Sequence, residues 1–300
     1  MRHIYEEFRS FYAPVTDMKQ RILTALILFG ILLPTLIFYW SPLMTVTITA
    51  LCLAGTYELL HCIGVHKKYA LSVPFYILAL ITPTVIRYFD FFFGQWEGVI
   101  EIYALMLATL FILMIYLFAI VVFSHRDITI REIGVAYISV PYIIAGFSSI
   151  IILCDKQPYG KYLYLVGVIV ALMSDIFAYF FGKALGKHKL IPEISPKKTV
   201  EGSIAGIVGG TVCLVIYGFI IKLIEKDMQI NFVVLIVSGV LIAVASQIGD
   251  LVMSAIKRTY NVKDFGKIFP GHGGVLDRFD SVISVSIILA VFNCIFNLFV

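Results

Sequence analysis

The chain has 300 residues, 60% of them hydrophobic, and a mean hydropathy of +0.97, which is the composition of an integral membrane protein and excludes an ordinary soluble core. Its formal net charge of +4 is modest and gives no argument for a nucleic-acid partner. Cys52, Cys62, Cys154, Cys213 and Cys294 form no CxxC pair and no metal-ligand spacing, so they are expected as small packing residues.

Residues 1–20 carry Arg2, Glu6, Glu7, Arg9 and Lys19 ahead of an apolar run without a small-residue cleavage site, and no cleaved signal peptide is expected. Ile4, Phe8, Phe11 and Tyr12 recur at helical spacing, the pattern of a short helix lying on the membrane interface; a disordered leader is the alternative, and Pro14 ends the helix either way. Runs of about 18–25 mostly apolar residues can cross a bilayer. They fall at 22–40, 43–63, 71–92, 98–123, 133–153, 161–181, 203–223, 230–252 and 281–299. The fold class expected is therefore an all-α polytopic membrane protein with about nine transmembrane helices. Pro34, Pro74, Pro83 and Pro141 lie inside these runs, where neighbouring helices can satisfy the freed carbonyls. The aromatic stretch from Phe89 to Trp96 blurs one boundary and reads as an interfacial belt.

Nine spans put the N-terminus and the loops after spans two, four, six and eight on one side. That side holds 18 of the 23 Lys and Arg residues; only Arg87, Lys156, Lys161, Lys222 and Lys226 lie on the other. The positive-inside rule then predicts a cytoplasmic N-terminus and cytoplasmic polar loops. Anionic headgroups and nucleoside triphosphates suit such a face.

Three regions are expected: the segment 1–20, N-terminal helices over 21–155 serving as scaffold and lipid access, and a C-terminal catalytic region over 160–300. In the first helices Glu58 is the polar exception, either bonded to a neighbouring helix or lining a cavity. Span six differs. Asp175, Tyr179, Gly182 and Gly186 form one stripe at helical spacing, and an intramembrane Asp is a functional hypothesis by default. Ala178, Gly182 and Gly186 make a small-residue repeat on which helices approach closely. The polar loop that follows contains Ser195-Pro196-Lys197-Lys198-Thr199 and Glu201 at a helix start, a grip for a triphosphate or a headgroup. Gly202, Gly206 and Gly210 continue as a second small-residue face.

The densest polar segment runs from Ser246 to Ser281, with nine Asp, Lys or Arg residues in 36 against 14% for the chain. If the apolar run before it continues as a helix, Gln247, Asp250, Ser254, Lys257 and Arg258 share a face. Beyond a glycine-rich loop, Asp277 and Asp280 share a face at the start of the last run. Between them, Pro270-Gly271-His272-Gly273-Gly274 lets the backbone turn tightly and offer N–H groups to an anion. Carboxylates for a divalent metal, cations for phosphate and a glycine loop together point to metal-dependent phosphoryl or nucleotidyl transfer.

The pattern Ser254-x-Ile256-Lys257-Arg258, then Lys263-Asp264-x-Gly266, then Phe269-Pro270-x-His272-Gly273-Gly274-Val275-x-Asp277-Arg278-Phe279-Asp280 resembles the signature of phosphatidate cytidylyltransferases (CDP-diacylglycerol synthases) without departure over its 27 positions. Upstream, Asp175, Ala178-Tyr179 and Ser195-Pro196-Lys197-Lys198-Thr199-x-Glu201-Gly202 are similar to a second stretch of that family in the same order. The resemblance covers about residues 170–285.

The resemblance implies an enzyme that transfers CMP from CTP to phosphatidic acid, with Mg2+ as cofactor, a second cation left open, and a homodimeric assembly in the membrane. On this reading Asp250 and Asp277 ligate Mg2+ and Asp280 completes or supports the shell. Lys257, Arg258, Lys263 and Arg278 neutralise phosphates, and His272 donates a hydrogen bond without acting as a base. Ser195, Lys197, Lys198, Thr199, Glu201, Ser254, Gly273, Gly274, Asp175 and Tyr179 are expected at the substrates. The alternatives are another membrane enzyme of lipid activation, such as a cytidylyltransferase for an isoprenoid lipid phosphate, and a transporter. The latter predicts inverted repeats with broken helices in both halves, whereas the polar chemistry here sits in one half.

Overall fold

The computed structural model describes residues 26, 29–93, 99–123, 127–156, 159–269 and 273–299. The segment 1–20, Trp96 and His272 lie outside the described residues. A helical stretch over 29–37 leads into α1 (Pro42–Cys62), α2 (Tyr69–Arg87), the short α3 (Phe89–Phe93), α4 (Val99–Phe123), α5 (Ile130–Asp155) and α6 (Gly160–Leu185). A hairpin of β1 (Lys189–Ile191) and β2 (Ser195–Thr199) precedes α7 (Val200–Ile224), α8 (Phe232–Thr259) and α9 (Leu276–Ile295).

Seven of these helices, α1, α2 and α5 to α9, are long and apolar enough to cross a membrane. The protein is an integral membrane protein of helical build. The two other expected spans, 22–40 and 98–123, coincide with helical segments described only in part, so the described residues support seven of nine. The hairpin is a second departure. The sequence predicts a loop after span six, but Lys189 pairs with Thr199 and Ile191 with Ser195, antiparallel with a bulge between.

Local chemistry sets the helix starts. Pro42 opens α1, where its missing N–H costs nothing. Thr129 and Glu132 form a reciprocal capping box on α5. Asn231 accepts the N–H groups of Val233 and Val234 at α8, and Thr199 accepts that of Gly202 at α7.

Packing follows from small residues. Among the described residues, α6 and α7 make the most extensive helix pair. Their seam is built on glycines: a Cβ added at Gly202 would lie 2.6 Å from the Ala178 carbonyl, and one at Gly206 2.7 Å from that of Ser174. α9 is wedged between α8 and α5, with Ile283 filling the space left by Gly146. Large apolar side chains such as Phe111, Ile138, Phe180 and Leu223 point outward, as surfaces facing lipid do.

Ion pairs gather at the two ends of the bundle. At the end carrying the hairpin and the loop before α9, Lys68 binds Glu132 (2.7 Å) and the Asp127 carbonyl (2.6 Å). At the other, Arg87 pairs with Asp155, and Glu225 accepts from Lys161 (2.8 Å) and Tyr162 (2.7 Å). Those two donors hold the Glu225 carboxyl below the usual carboxylate range.

Candidate active site

Two carboxylates meet where α8 and α9 cross. A Cβ at Gly249 would fall 2.1 Å from Ser284 Oγ and 2.8 Å from the Asp280 carbonyl, so only glycine permits this approach. The next residue, Asp250, thereby reaches Asp280, and their carboxyl groups lie within hydrogen-bonding reach of each other. Lys198, from β2, pairs with Asp250. Asp175 on α6 stands beside the buried Ser281 and close enough to Asp250 and Lys198 to feel their charges. Four elements thus bring three aspartates and a lysine together.

This cluster opens on a cavity of about 530 Å³ between α6, α7 and the hairpin, within the range of small-molecule sites. Lys183, Lys189, Lys197, Lys198 and Asp175 line it, so its charge is predominantly positive. Tyr179, Leu190, Ser195, Thr199, Ser203 and Gln247 complete the wall. Gln247 is fixed in place, because its amide donates to the Ser203 carbonyl (2.9 Å) while its oxygen accepts from the Ser203 hydroxyl.

The expected residues divide into two sets. Asp175, Tyr179, Ser195, Lys197, Lys198 and Thr199 line the cavity, with Asp250 and Asp280 joined to it through Lys198. Thr199 is also the cap of α7, and Glu201 closes the turn before the hairpin by accepting the N–H groups of Lys187 (3.1 Å) and His188 (3.2 Å) and meeting His188 Nδ1 (2.7 Å).

The second set organises the loop before α9. Asp277, whose side chain is 4% exposed, accepts from Lys257 Nζ (2.8 Å), the Phe265 N–H (2.8 Å) and the Gly274 N–H (3.0 Å). Lys257 also lies over the Phe265 ring. Of the three aspartates expected at Mg2+, Asp277 has its oxygens engaged by these donors, and Asp280 is the one beside Asp250. Gly273 adopts a φ of +86° and closes a tight turn by accepting from the Phe269 N–H (2.9 Å). Gly274 packs on Glu58 and not on the cavity. Arg258 Nε contacts the Ile194 carbonyl at 3.4 Å, Lys263 is exposed, and neither these two nor Ser254 lines the cavity. Arg278 lines a separate, largely apolar cavity of about 310 Å³ with Leu36, Ile48, Leu153, Tyr164 and Val282.

Lys183 and Lys189, which in the sequence stand only as topological charges, also line the cavity. A signal for Lys183 was present, since it stands four residues after Tyr179 on the same helix.

Among the described residues, no group of three or more His, Cys, Asp or Glu side chains is arranged to hold a metal ion. Mg2+ at nucleotide sites is commonly held by one or two carboxylates, with water and phosphate oxygens in the other positions. Asp250 and Asp280 fit that mode: two neighbouring carboxyl groups, with Lys198 paired to Asp250.

A model of the cytidylyltransferase family matches residues 19–296. The chain belongs to that family. Similar members include the phosphatidate cytidylyltransferase of Bacillus subtilis (strain 168), 34% identical over 271 residues and covering 90% of this chain and 96% of the relative. That of Staphylococcus haemolyticus (strain JCSC1435) is 36% identical over 270 residues, covering 89% and 96%. That of Staphylococcus aureus (strain COL) is 34% identical over 268 residues, with the same coverage. Membership of the cytidylyltransferase family thus spans both halves, including the N-terminal helices in which the sequence alone showed only hydrophobic runs.

Proposed function

We propose that this protein transfers the CMP moiety of CTP to phosphatidic acid, giving CDP-diacylglycerol and pyrophosphate. The observation that carries the reading is the apposed Asp250–Asp280 pair at the edge of a lysine-lined cavity inside a membrane bundle. Family membership and the names of the relatives point the same way.

The cavity lysines Lys183, Lys189, Lys197 and Lys198 take up the triphosphate and offset its charge. Asp250 and Asp280 would hold Mg2+, which when bound supplies charge stabilisation at the phosphates. An oxygen of the lipid phosphate attacks the α-phosphorus of CTP, and the bond from that phosphorus to the β-phosphate bridging oxygen breaks. The attacking group is already ionised, so no protein nucleophile or general base is required. The barrier consists mainly of charge repulsion and alignment, which fixed cations and a rigid floor lower. Lys198, already against Asp250, ties the nucleotide wall to the carboxylate floor. Tyr179 and Leu190 give the cavity an aromatic and an apolar surface beside the lysines.

The site faces the cytoplasm, a reading supported by the distribution of Lys and Arg. Assembly as a homodimer is supported by the family resemblance.

Purified protein in detergent, given labelled CTP, Mg2+ and phosphatidic acid, is expected to release CDP-diacylglycerol and pyrophosphate in equal amounts, with EDTA abolishing both. Consumption of CTP with an isoprenoid lipid phosphate but not with phosphatidic acid would replace the lipid substrate. A folded preparation inert with both would overturn the reading.

A further inference from the structure

The loop before α9 is folded around a carboxylate from the other half of the chain. Glu58, one turn from the end of α1, is 1% exposed. Its Oε1 accepts the Val275 N–H and its Oε2 the Leu276 N–H, both at 2.9 Å. These are N–H groups at the start of α9, which have no partner within the helix, so Glu58 caps it from a distant helix. Gly266 and Gly274 flank the same carboxylate: a Cβ at either would lie 2.3 Å from Oε1. Asp277 then draws the Phe265 and Gly274 N–H groups to itself from the inside of the loop. The first turn of α9 is therefore fixed at one face by Glu58, and Asp280 stands four residues beyond Leu276, one turn further along.

We infer that Glu58 is a positioning residue for the transfer reaction. It touches neither the cavity nor the apposed carboxylates. It sets the height and rotation of α9, and with them the placement of Asp280 against Asp250. The inference rests on the reading of the site given above. It assigns Glu58, Gly266 and Gly274 to one device, in which two glycines leave room for a carboxylate whose two oxygens each have a single backbone donor. Glutamine would keep the size but present an N–H to an N–H at one of the two contacts.

The test compares Glu58→Gln, Gly274→Ala, Glu58→Ala and Glu58→Ala/Gly274→Ala in detergent, by thermal melting and by steady-state turnover of CTP with phosphatidic acid. Folded Glu58→Gln is expected to lose at least about tenfold in kcat with the KM for CTP within about threefold of the parent, because the lysine-lined cavity is untouched. Gly274→Ala is expected to lose a similar factor. In the Glu58→Ala background the same glycine change should cost under about twofold, since the atoms it strikes are gone. Parental kcat in folded Glu58→Gln, losses that only follow the folded fraction, or independent effects of the two changes would each overturn the inference. If Glu58→Gln does not fold, Gly266→Ala takes its place, displacing the carboxylate while keeping every polar group, and parental kcat there is equally fatal. Failure of the parent to consume CTP would instead remove the functional reading on which the inference stands.

Discussion

The Asp280 carboxyl on α9 sits against the Asp250 carboxyl on α8, and Lys198 meets Asp250 from the hairpin. Two like charges this close need a cation or a proton, and a nucleotide-metal complex supplies the former. Asp250→Asn and Asp280→Asn are each expected to lower turnover at saturating Mg2+ by at least about a hundredfold, the scale of a principal electrostatic stabiliser. Near-parental turnover in either variant would take that residue out of the reaction.

Lys198 belongs both to the carboxylate floor and to the cavity wall. Lys198→Met keeps length and removes charge. An expected loss of about a hundredfold in kcat/KM for CTP, with the melting temperature held within a few degrees, can be read from one titration of CTP. A variant with ordinary kcat/KM would place the triphosphate elsewhere.

Asp277 should behave differently from its neighbour three residues on. Its carboxylate neutralises Lys257 in a site where the two side chains are 4% and 12% exposed. Breaking a buried pair from one side costs about 3–5 kcal/mol, so Asp277→Asn is expected to lower the melting temperature as well as activity, whereas Asp280→Asn lowers activity alone. Equal melting temperatures for the two variants would contradict this division.

Gly249 controls the crossing of α8 and α9. Overfilling a packed contact costs about 1–3 kcal/mol, and here the added methyl presses on Ser284 and the Asp280 backbone. Gly249→Ala is expected to remain folded but lose most of its turnover. An active Gly249→Ala protein would show that the helices need not approach this closely.

Sidedness is open to direct labelling. In a background without native cysteines, Lys189→Cys and Lys263→Cys should react with an impermeant maleimide only from the cytoplasmic side, and Lys226→Cys only from the opposite one. Labelling in the reverse sense would invert the orientation.

Much of this arrangement is legible in the chain because lipid imposes simple rules: long apolar runs mark helices, and polar residues within or beside them mark chemistry. α8 does run past the apolar stretch at 230–252, to Thr259, which is the condition under which Gln247, Asp250, Ser254 and Lys257 share a face. The hairpin at 189–199 is not legible, because a short Lys- and Pro-containing segment has no strand-like alternation to read. The different surroundings of Asp277 and Asp280 are not legible either. Both stand on one face of α9, and which of them meets Asp250 depends on how the helix is rotated, a tertiary matter settled at Gly249 and Glu58. Glu58 itself is a lone carboxylate in an apolar run, and nothing near it in sequence names partners 217 and 218 residues away.

That separation bears on how the protein is made. A chain emerging from its N-terminus inserts α1 while the donors for Glu58 are still untranslated, and domains form in the order in which they are synthesised. Until Val275 and Leu276 arrive, the carboxylate must be satisfied by water or by a proton. On the proposed reading the site therefore closes only as α9 enters the bilayer, and a nascent chain halted before α9 lacks Asp280 and the donors for Glu58.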